Sequence, residues 1–259
     1  MSSSNYFPTQ MSITFTQLDF TLNLSTTDVV YDGQKIENGR ENLPYAPIYS
    51  PNANFSRTES IISEQLILTA DGKRSLKTCS LRLPAVYGLT TALNLKDVLK
   101  TTKMLKHAYE HRGDLKIQFV SIENVVSAHI QASFALLAAP KEIGGQTFFI
   151  TDGPPVNPYE LFRPLRDQLH SKPSLSRRIL KGFSSKRSSD HFVPCLPLVT
   201  PISQIMQVQN THYFSTTKAE ESFGYEAYDP NDISGIIEYY ENILNLEEGH
   251  KEKKTGKVK

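Results

Sequence analysis

Apolar and polar positions in the middle of the chain fall into alternating short and long segments. Residues 117–120 are mostly apolar and predict a strand, and Ser121 and Glu123 are suited to begin the helix after it. A Gly-Gly pair at 144–145 breaks the chain before a second predicted strand at 147–150. The positions that follow the helical period are Val125, Val126, His129, Ile130, Ala132, Phe134, Ala135 and Leu136. Strand, helix and strand in this order indicate an α/β protein with a parallel sheet.

The same patterns extend to both sides of this segment. Residues 13–24 alternate and are rich in Thr and Phe, which predicts a strand, with Thr26 where that strand would end. Residues 34–51 are rich in Pro, Asn and Gly and predict a loop. A predicted helix at 56–68 has its inward face at Ile61, Ile62, Gln65 and Leu66. The other predicted elements are a strand at 78–83 and helices at 96–110, 157–170, 217–223 and 232–246.

Several helix ends carry recognisable signals. Asn157 followed by Pro158 predicts an N-cap and a first helical residue. Ser215 is suited to cap the helix at 217–223, and Gly224 is suited to end it.

Composition and charge exclude some classes of protein. The 259 residues have a net charge of +1, with 39% hydrophobic and 21% charged side chains, which argues against nucleic-acid binding through bulk electrostatics. Cys79 and Cys195 lie far apart, and neither has partners at metal-ligand spacing, so we expect no disulfide scaffold and no metal site. We recognise no signal peptide and no membrane-spanning run. The expected location is the cytoplasm or the periphery of the endoplasmic reticulum membrane.

Seven segments, in a fixed order and spacing, carry a resemblance to one family. They are NGRENLPYAPI (38–48), SRTES (56–60), LRLPAVYG (81–88), FVSIENVVSAH (119–129), GQTFFITDGPPVN (145–157), ELFRPL (160–165) and THYFSTTKAEESFGYEA (211–227). Together they resemble the extended short-chain dehydrogenases/reductases, in the 3β-hydroxysteroid dehydrogenase/isomerase branch and most of all family 42E. The resemblance covers roughly residues 24–245.

This resemblance implies a Rossmann sheet that binds NAD or NADP and a smaller C-terminal substrate domain. The implied reaction is hydride transfer between the nicotinamide and a secondary alcohol or ketone, with an apolar, steroid-like substrate. In this chemistry a Ser or Thr hydroxyl holds the carbonyl oxygen and a Tyr hydroxyl transfers the proton. A Lys four residues after the Tyr lowers the pKa of the Tyr and binds the ribose.

Two residues at the implied catalytic positions depart from the family pattern. Phe55 occupies the Tyr position and Glu59 the Lys position. Phe has no proton to transfer, and a carboxylate raises rather than lowers the pKa of a nearby phenol. Thr26 keeps the hydroxyl of the third position, although a Thr that simply ends a strand explains it equally well.

The family's glycine-rich turn, G-x-x-G-x-x-G, does not occur in this sequence. The resemblance implies that the chain begins near the family's fifth strand, so we expect a partial Rossmann sheet without its first βαβ half and with an open edge. Leu83, Pro84 and Val86 form the loop that would contact the nicotinamide, and we expect its shape to differ. The implied cofactor is NAD or NADP, and the alternative is that this chain binds none.

The resemblance also implies a division of the chain. We expect a disordered start (1–12), an incomplete Rossmann core (13–156) into which part of the substrate domain (86–116) is inserted, a mainly substrate-binding part (157–246) and a charged tail (247–259). The candidate substrate contacts are Tyr87, Asn157, Phe162 and Tyr213. A core or cleft-lining role is the alternative for Tyr87.

Three hypotheses follow. The first is a catalytically inactive member of the family. The second is an active oxidoreductase with an altered site that borrows its cofactor half from a partner. The third is a binding or regulatory module that holds an apolar, steroid-like molecule or forms a homodimer or heterodimer with a homologue. None of them includes nucleic acid.

Overall fold

The structure is a computed structural model and describes residues 20–49, 55–88, 114–161, 163–164, 210–235 and 237–238. Its strands are β1 Phe20–Thr26, β2 Ile36–Gly39, β3 Lys77–Leu83, β4 Ala85–Tyr87, β5 Phe119–Ser121, β6 Gln146–Phe149 and β7 His212–Phe214. Its helices are α1 Phe55–Ala70, α2 Ile122–Ala138, α3 Pro140–Ile143, α4 Pro158–Leu161 and α5 Thr217–Phe223. The predicted helix at 96–110, most of those at 157–170 and 232–246, the start (1–12) and the tail (247–259) lie outside the described residues.

The central sheet has the order β1-β3-β6, and its neighbouring strands run parallel. The pair β1 and β3 is in register from Phe20 opposite Lys77 to Thr26 opposite Leu83. Two further parallel pairs, β2 with β7 and β4 with β5, extend the structure. The predicted α/β class with parallel strands is confirmed.

The two faces of the central sheet are chemically different. Successive side chains of a strand point to opposite faces, and in β3 the residues Cys79, Leu81 and Leu83 join the apolar core formed with α2. The alternate residues Thr78, Ser80 and Arg82 bond to α1 instead. One face is therefore an ordinary apolar core, and the other is a buried polar layer.

This polar layer overturns the predicted inward face of α1. Ile61 is buried as expected, but Ile62 and Leu66 are more than half exposed, and the fully buried Glu64 takes their place. The prediction was wrong because it assumed that the apolar residues of a helix face the sheet. Here the sheet presents Arg82, which requires a carboxylate partner.

The predicted loop at 34–51 is also corrected. It contains the strand β2, whose hydrogen-bonded neighbour β7 lies far away in the sequence. The strand predicted at 117–120 is observed as β5, Phe119–Ser121, and Ile117 makes isolated bridges to Val156 and His212. Such pairings depend on distant residues, and a local pattern does not show them.

Two helix ends follow the sequence signals, and the predicted cap of α5 is wrong by one residue. The Ser121 hydroxyl caps α2 by accepting a hydrogen bond from the Asn124 backbone N–H at 3.1 Å. Gly224 ends α5 in the left-handed conformation, at φ 70°. Thr216 holds the N-cap position of α5, while the predicted cap, Ser215, accepts a hydrogen bond from the Thr217 backbone N–H at 3.3 Å.

None of the helices in the described part of the chain combines the length and the apolar character that a membrane crossing requires.

Candidate functional site

The carboxyl ends of β1 and β3 meet where a parallel α/β sheet commonly binds its ligands. Thr26 ends β1 directly opposite Leu83, so the structure brings these two predicted site residues together. The Thr26 hydroxyl accepts a hydrogen bond from the Asp28 backbone N–H at 3.2 Å and caps the short 3-10 helix Thr27–Val29. This geometry is that of a Thr at a strand end, the alternative that the sequence left open.

Phe55 and Glu59 lie one helical turn apart at the start of α1, so they share one side of the helix. Phe55 is 69% exposed, and Glu59 is also exposed. The implied proton donor is thus replaced by a phenyl ring and the implied ammonium group by a carboxylate.

The loop predicted to contact the nicotinamide is part of the sheet. Leu83 is the last residue of β3, Pro84 separates the two strands, and Val86 lies in β4 opposite Val120. Gly88 follows with φ 149°, where an added Cβ would come within 2.5 Å of the Ile122 side chain. The close approach of α2 thus restricts this position to Gly.

Asp152 organises the next part of this edge, and the sequence analysis did not single it out. Its carboxylate accepts a hydrogen bond from the Tyr87 hydroxyl. It also accepts hydrogen bonds from the Ser121 backbone N–H at 2.9 Å and from the Asn124 side-chain amide at 2.7 Å. The Asn231 backbone N–H approaches it at 3.4 Å. The available signal was an Asp directly after a buried strand and before a Gly turn, where its carboxylate can reach several neighbouring segments.

Tyr87 is therefore a buried residue whose hydroxyl is engaged in a hydrogen bond to Asp152. It is 2% exposed and packs with Ile117 and Phe119 in an apolar cluster. Burial raises the pKa of its phenol well above the ordinary value, and the hydrogen bond to Asp152 raises it further. The phenol consequently stays protonated and bonded to Asp152 throughout the neutral range.

The other predicted substrate contacts lie on segments that flank Ile117. Asn157 follows Val156, which bridges to Ile117, and the Asn157 carbonyl accepts the Leu161 backbone N–H of α4 at 3.0 Å. Tyr213 is partly buried and follows His212, which bridges to Ile117 from the other side. The predicted contact Phe162 lies outside the described residues.

A buried ion pair between α1 and β3 is the second feature that the sequence analysis missed. Arg82 donates to the Glu64 carboxylate through Nη2 at 2.7 Å and through Nε at 3.1 and 3.2 Å. The Tyr45 hydroxyl donates to the same carboxylate at 2.8 Å and the Ser80 hydroxyl at 3.1 Å. These donors occupy the acceptor positions of the Glu64 carboxylate. The resulting network holds α1 on the sheet.

Buried His212 also lacks the properties of an acid–base catalyst at neutral pH. Its ring stacks on that of Tyr31 at a centroid distance of 4.0 Å, and its Nδ1 bonds to the Asn210 carbonyl at 2.9 Å. Burial lowers the pKa of His212 to about 4 and raises that of Tyr31 to about 12. Both rings are neutral at pH 7. Among the described residues, no group of three or more His, Cys, Asp or Glu side chains could hold a metal ion.

The residues present do not fit a nicotinamide cofactor. The resemblance puts the exposed Glu59 where the family has its Lys, and a carboxylate lacks the positive charge that would lower the pKa of a phenol there. Phe55 offers no hydroxyl, and the Thr26 hydroxyl is engaged in a cap. This donor set gives no basis for a step through NAD or NADP.

A family model and the most similar known sequences indicate the same family. The model of the 3-beta hydroxysteroid dehydrogenase/isomerase family matches residues 15–175. Short-chain dehydrogenase/reductase family 42E member 1 of Bos taurus is 36% identical over 235 residues, and that of Homo sapiens is 36% identical over 233 residues. Each of these alignments covers 83% of this chain and 58% of the relative. The chain therefore spans less than two thirds of the length of these relatives.

Solved structures show the same fold at low identity. UDP-glucose 4-epimerase of Thermotoga maritima, solved with UDP-glucose, matches with a TM-score of 0.54 and 17% identity, over 88% of this chain and 65% of that one. UDP-glucuronic acid 4-epimerase of Bacillus cereus, solved with NAD, matches with a TM-score of 0.51 and 17% identity, over 88% of this chain and 63% of that one. At these identities the likeness concerns the fold alone.

Proposed function

Because this chain belongs to the 3-beta hydroxysteroid dehydrogenase/isomerase family, we propose that it is a non-catalytic member of a family of NAD(P)-dependent oxidoreductases. One observation carries the proposal. Phe55 and Glu59 lie on α1, and the resemblance assigns them to the positions of the family's proton-transferring Tyr and its Lys.

The two replacements remove different parts of the reaction. General acid–base catalysis contributes about 10²- to 10⁴-fold to a rate, and the phenyl ring of Phe55 has no exchangeable proton. Glu59 introduces the opposite charge at the position that should lower a phenol pKa and attract the ribose. Each change alone would cost orders of magnitude in rate.

Among the described residues at this edge of the sheet, neither Tyr87 nor Thr26 supplies a replacement. The Tyr87 phenol is buried and donates to Asp152. The Thr26 hydroxyl remains at the sheet edge, but holding a carbonyl oxygen does not provide a proton for it. These contacts support the proposal that the site has lost its chemistry while its fold is kept.

The test is a turnover measurement on the purified chain with NAD⁺ or NADP⁺ and a panel of 3β-hydroxysteroids, followed by nicotinamide absorbance. We expect no turnover above the protein-free rate. Turnover by the unmodified chain would overturn the proposal. The double variant Phe55→Tyr/Glu59→Lys restores the family residues at two exposed positions, and a gain of activity in it would show that these two residues carry the loss.

A further inference from the structure

Asn38 and Gly39 form the single Asn-Gly pair in the sequence, and both lie in the short strand β2. Asn is one of the thermolabile residues of proteins. It reacts most readily when Gly follows it, because Gly has no Cβ that would shield its backbone nitrogen. The reaction releases the side-chain amide as ammonia and turns a neutral residue into an acidic one.

The Asn38 side chain is accessible and is not held in place. It is exposed, and it makes no hydrogen bond to another described residue. Its backbone has φ 52°, in the left-handed region that Asn tolerates better than most residues. The register of β2 against β7 shifts between Ile36 and Gly39, so Asn38 lies at an irregular point of the strand.

The three Asp-Gly pairs of the chain differ from this one. Asp can close the same ring onto the nitrogen of a following Gly, but each of these carboxylates accepts at least one hydrogen bond. They are Asp32, Asp71 and Asp152. Asn38 therefore combines a following Gly with a side chain that is free to turn toward it.

The chemistry needs only water as a co-reactant. The Gly39 backbone nitrogen bonds to the side-chain carbonyl carbon of Asn38, and the bond from that carbon to the amide nitrogen breaks. The amide leaves as ammonia, taking the proton of the Gly39 N–H. One water molecule then opens the five-membered imide. Attack at the side-chain carbonyl gives Asp, whereas attack at the backbone carbonyl gives isoaspartate, which has an additional CH2 in the main chain.

The main chain has no room for this additional atom. A Cβ added to Gly39 would lie 2.8 Å from three side chains, those of Ile36, Leu43 and Phe214. The Gly39 carbonyl also accepts a hydrogen bond from the Ser215 backbone N–H, next to β7, at 2.8 Å. Isoaspartate moves Gly39 along the strand and breaks these contacts, whereas a normal Asp leaves the main chain unchanged.

We propose that Asn38 is a site of spontaneous deamidation, at which the formation of isoaspartate releases β2 from β7. The two strands are four and three residues long, so local opening of this pair frees the Gly39 N–H for the reaction. Each event also adds one negative charge to a chain whose net charge is +1.

Peptide mapping by mass spectrometry tests the proposal on the purified 259-residue chain, incubated in a mildly alkaline buffer. Circular dichroism confirms that the chain is folded at the start. We expect Asn38 to deamidate several-fold faster than Asn42, with isoaspartate as the main product. Asn42 is the matched internal control, because it is exposed in the same segment but is followed by Leu43.

The effect on the fold is measured as the melting temperature before and after incubation. The unmodified chain should lose melting temperature as isoaspartate accumulates, while Asn38→Gln should keep its own value. Asn38→Asp, which has the charge but the normal main chain, should melt like the fresh unmodified chain. Three results would overturn the proposal: an Asn38 that stays intact, deamidation no faster than at Asn42, and an isoaspartate-containing chain that melts like the fresh one.

Discussion

Replacing Glu64 by Gln tests the polar layer between α1 and the central sheet. The substitution keeps the size of the side chain but removes its charge, and it replaces one of the two oxygens that accept from the Arg82 guanidinium by an NH2 donor. Glu64 is fully buried and the Arg82 side chain is 3% exposed, so neither water nor salt can replace the lost partner. Breaking a buried pair of this kind costs about 3–5 kcal/mol. The Gln amide keeps only one acceptor oxygen, so either Tyr45 or Ser80 also loses its acceptor, which adds to the cost.

Urea unfolding followed by circular dichroism measures this loss as a change in the free energy of unfolding. Glu59→Gln is the matched control, since the same substitution at an exposed position of the same helix should change stability by at most about 0.5 kcal/mol. The double variant Glu64→Leu/Arg82→Met should be more stable than Glu64→Gln because it leaves no charge buried without a partner. A cost below about 1 kcal/mol for Glu64→Gln would refute the assignment of this pair as the element that holds α1 on the sheet.

Three further predictions follow from single side chains. Because burial lowers the pKa of His212 from 6.5 to about 4, the unfolded chain binds a proton there before the folded chain does. Stability should therefore fall by roughly 3 kcal/mol as the pH drops from 6.5 to 4, and in pH-dependent unfolding His212→Phe should remove that part of the slope. Tyr87→Phe takes away a hydrogen bond to a buried carboxylate and should cost about 1–3 kcal/mol in urea unfolding; an unchanged stability would show that Asp152 does not need this donor. Gly224→Ala forces a side chain into the left-handed conformation at the end of α5 and should lower the melting temperature by the equivalent of about 1 kcal/mol, with Gly224→Asn costing less.

The sequence was sufficient to predict the features that depend on interactions between neighbouring residues. The Ser121 cap and the Gly224 stop depend on hydrogen bonds and backbone angles within a few residues, and both are confirmed. The buried strand at 78–83 needs only its own run of side chains, and it is observed as β3.

The inward sides of the helices could not be derived in the same way. Periodicity identifies the apolar side of a helix, but the sheet beneath α1 presents Arg82, so Glu64 turns inward while Ile62 and Leu66 remain exposed. The role of Asp152 could not be derived from the local sequence for the same reason. Its partners come from residues 87, 121, 124 and 231, which only the folded chain brings together.

The features of the candidate site also fall into two groups, those that the sequence indicates and those that only the structure shows. The assignment of Phe55 and Glu59 to the family's Tyr and Lys positions rests on the resemblance and stays a prediction. The engagement of the Thr26 hydroxyl in a cap and of the Tyr87 hydroxyl with Asp152 required the structure. The division into a nucleotide-binding core and a substrate-binding part stays a prediction.

Titration of the folded chain with NADH and NADPH, followed by nucleotide fluorescence and by the melting temperature, tests the central claim most directly, because hydride transfer requires a bound nicotinamide. The account predicts no fluorescence enhancement and no change in melting temperature with either nucleotide. Saturable binding, with a stabilisation approaching about 2.7 kcal/mol at a hundred times the dissociation constant, would contradict it.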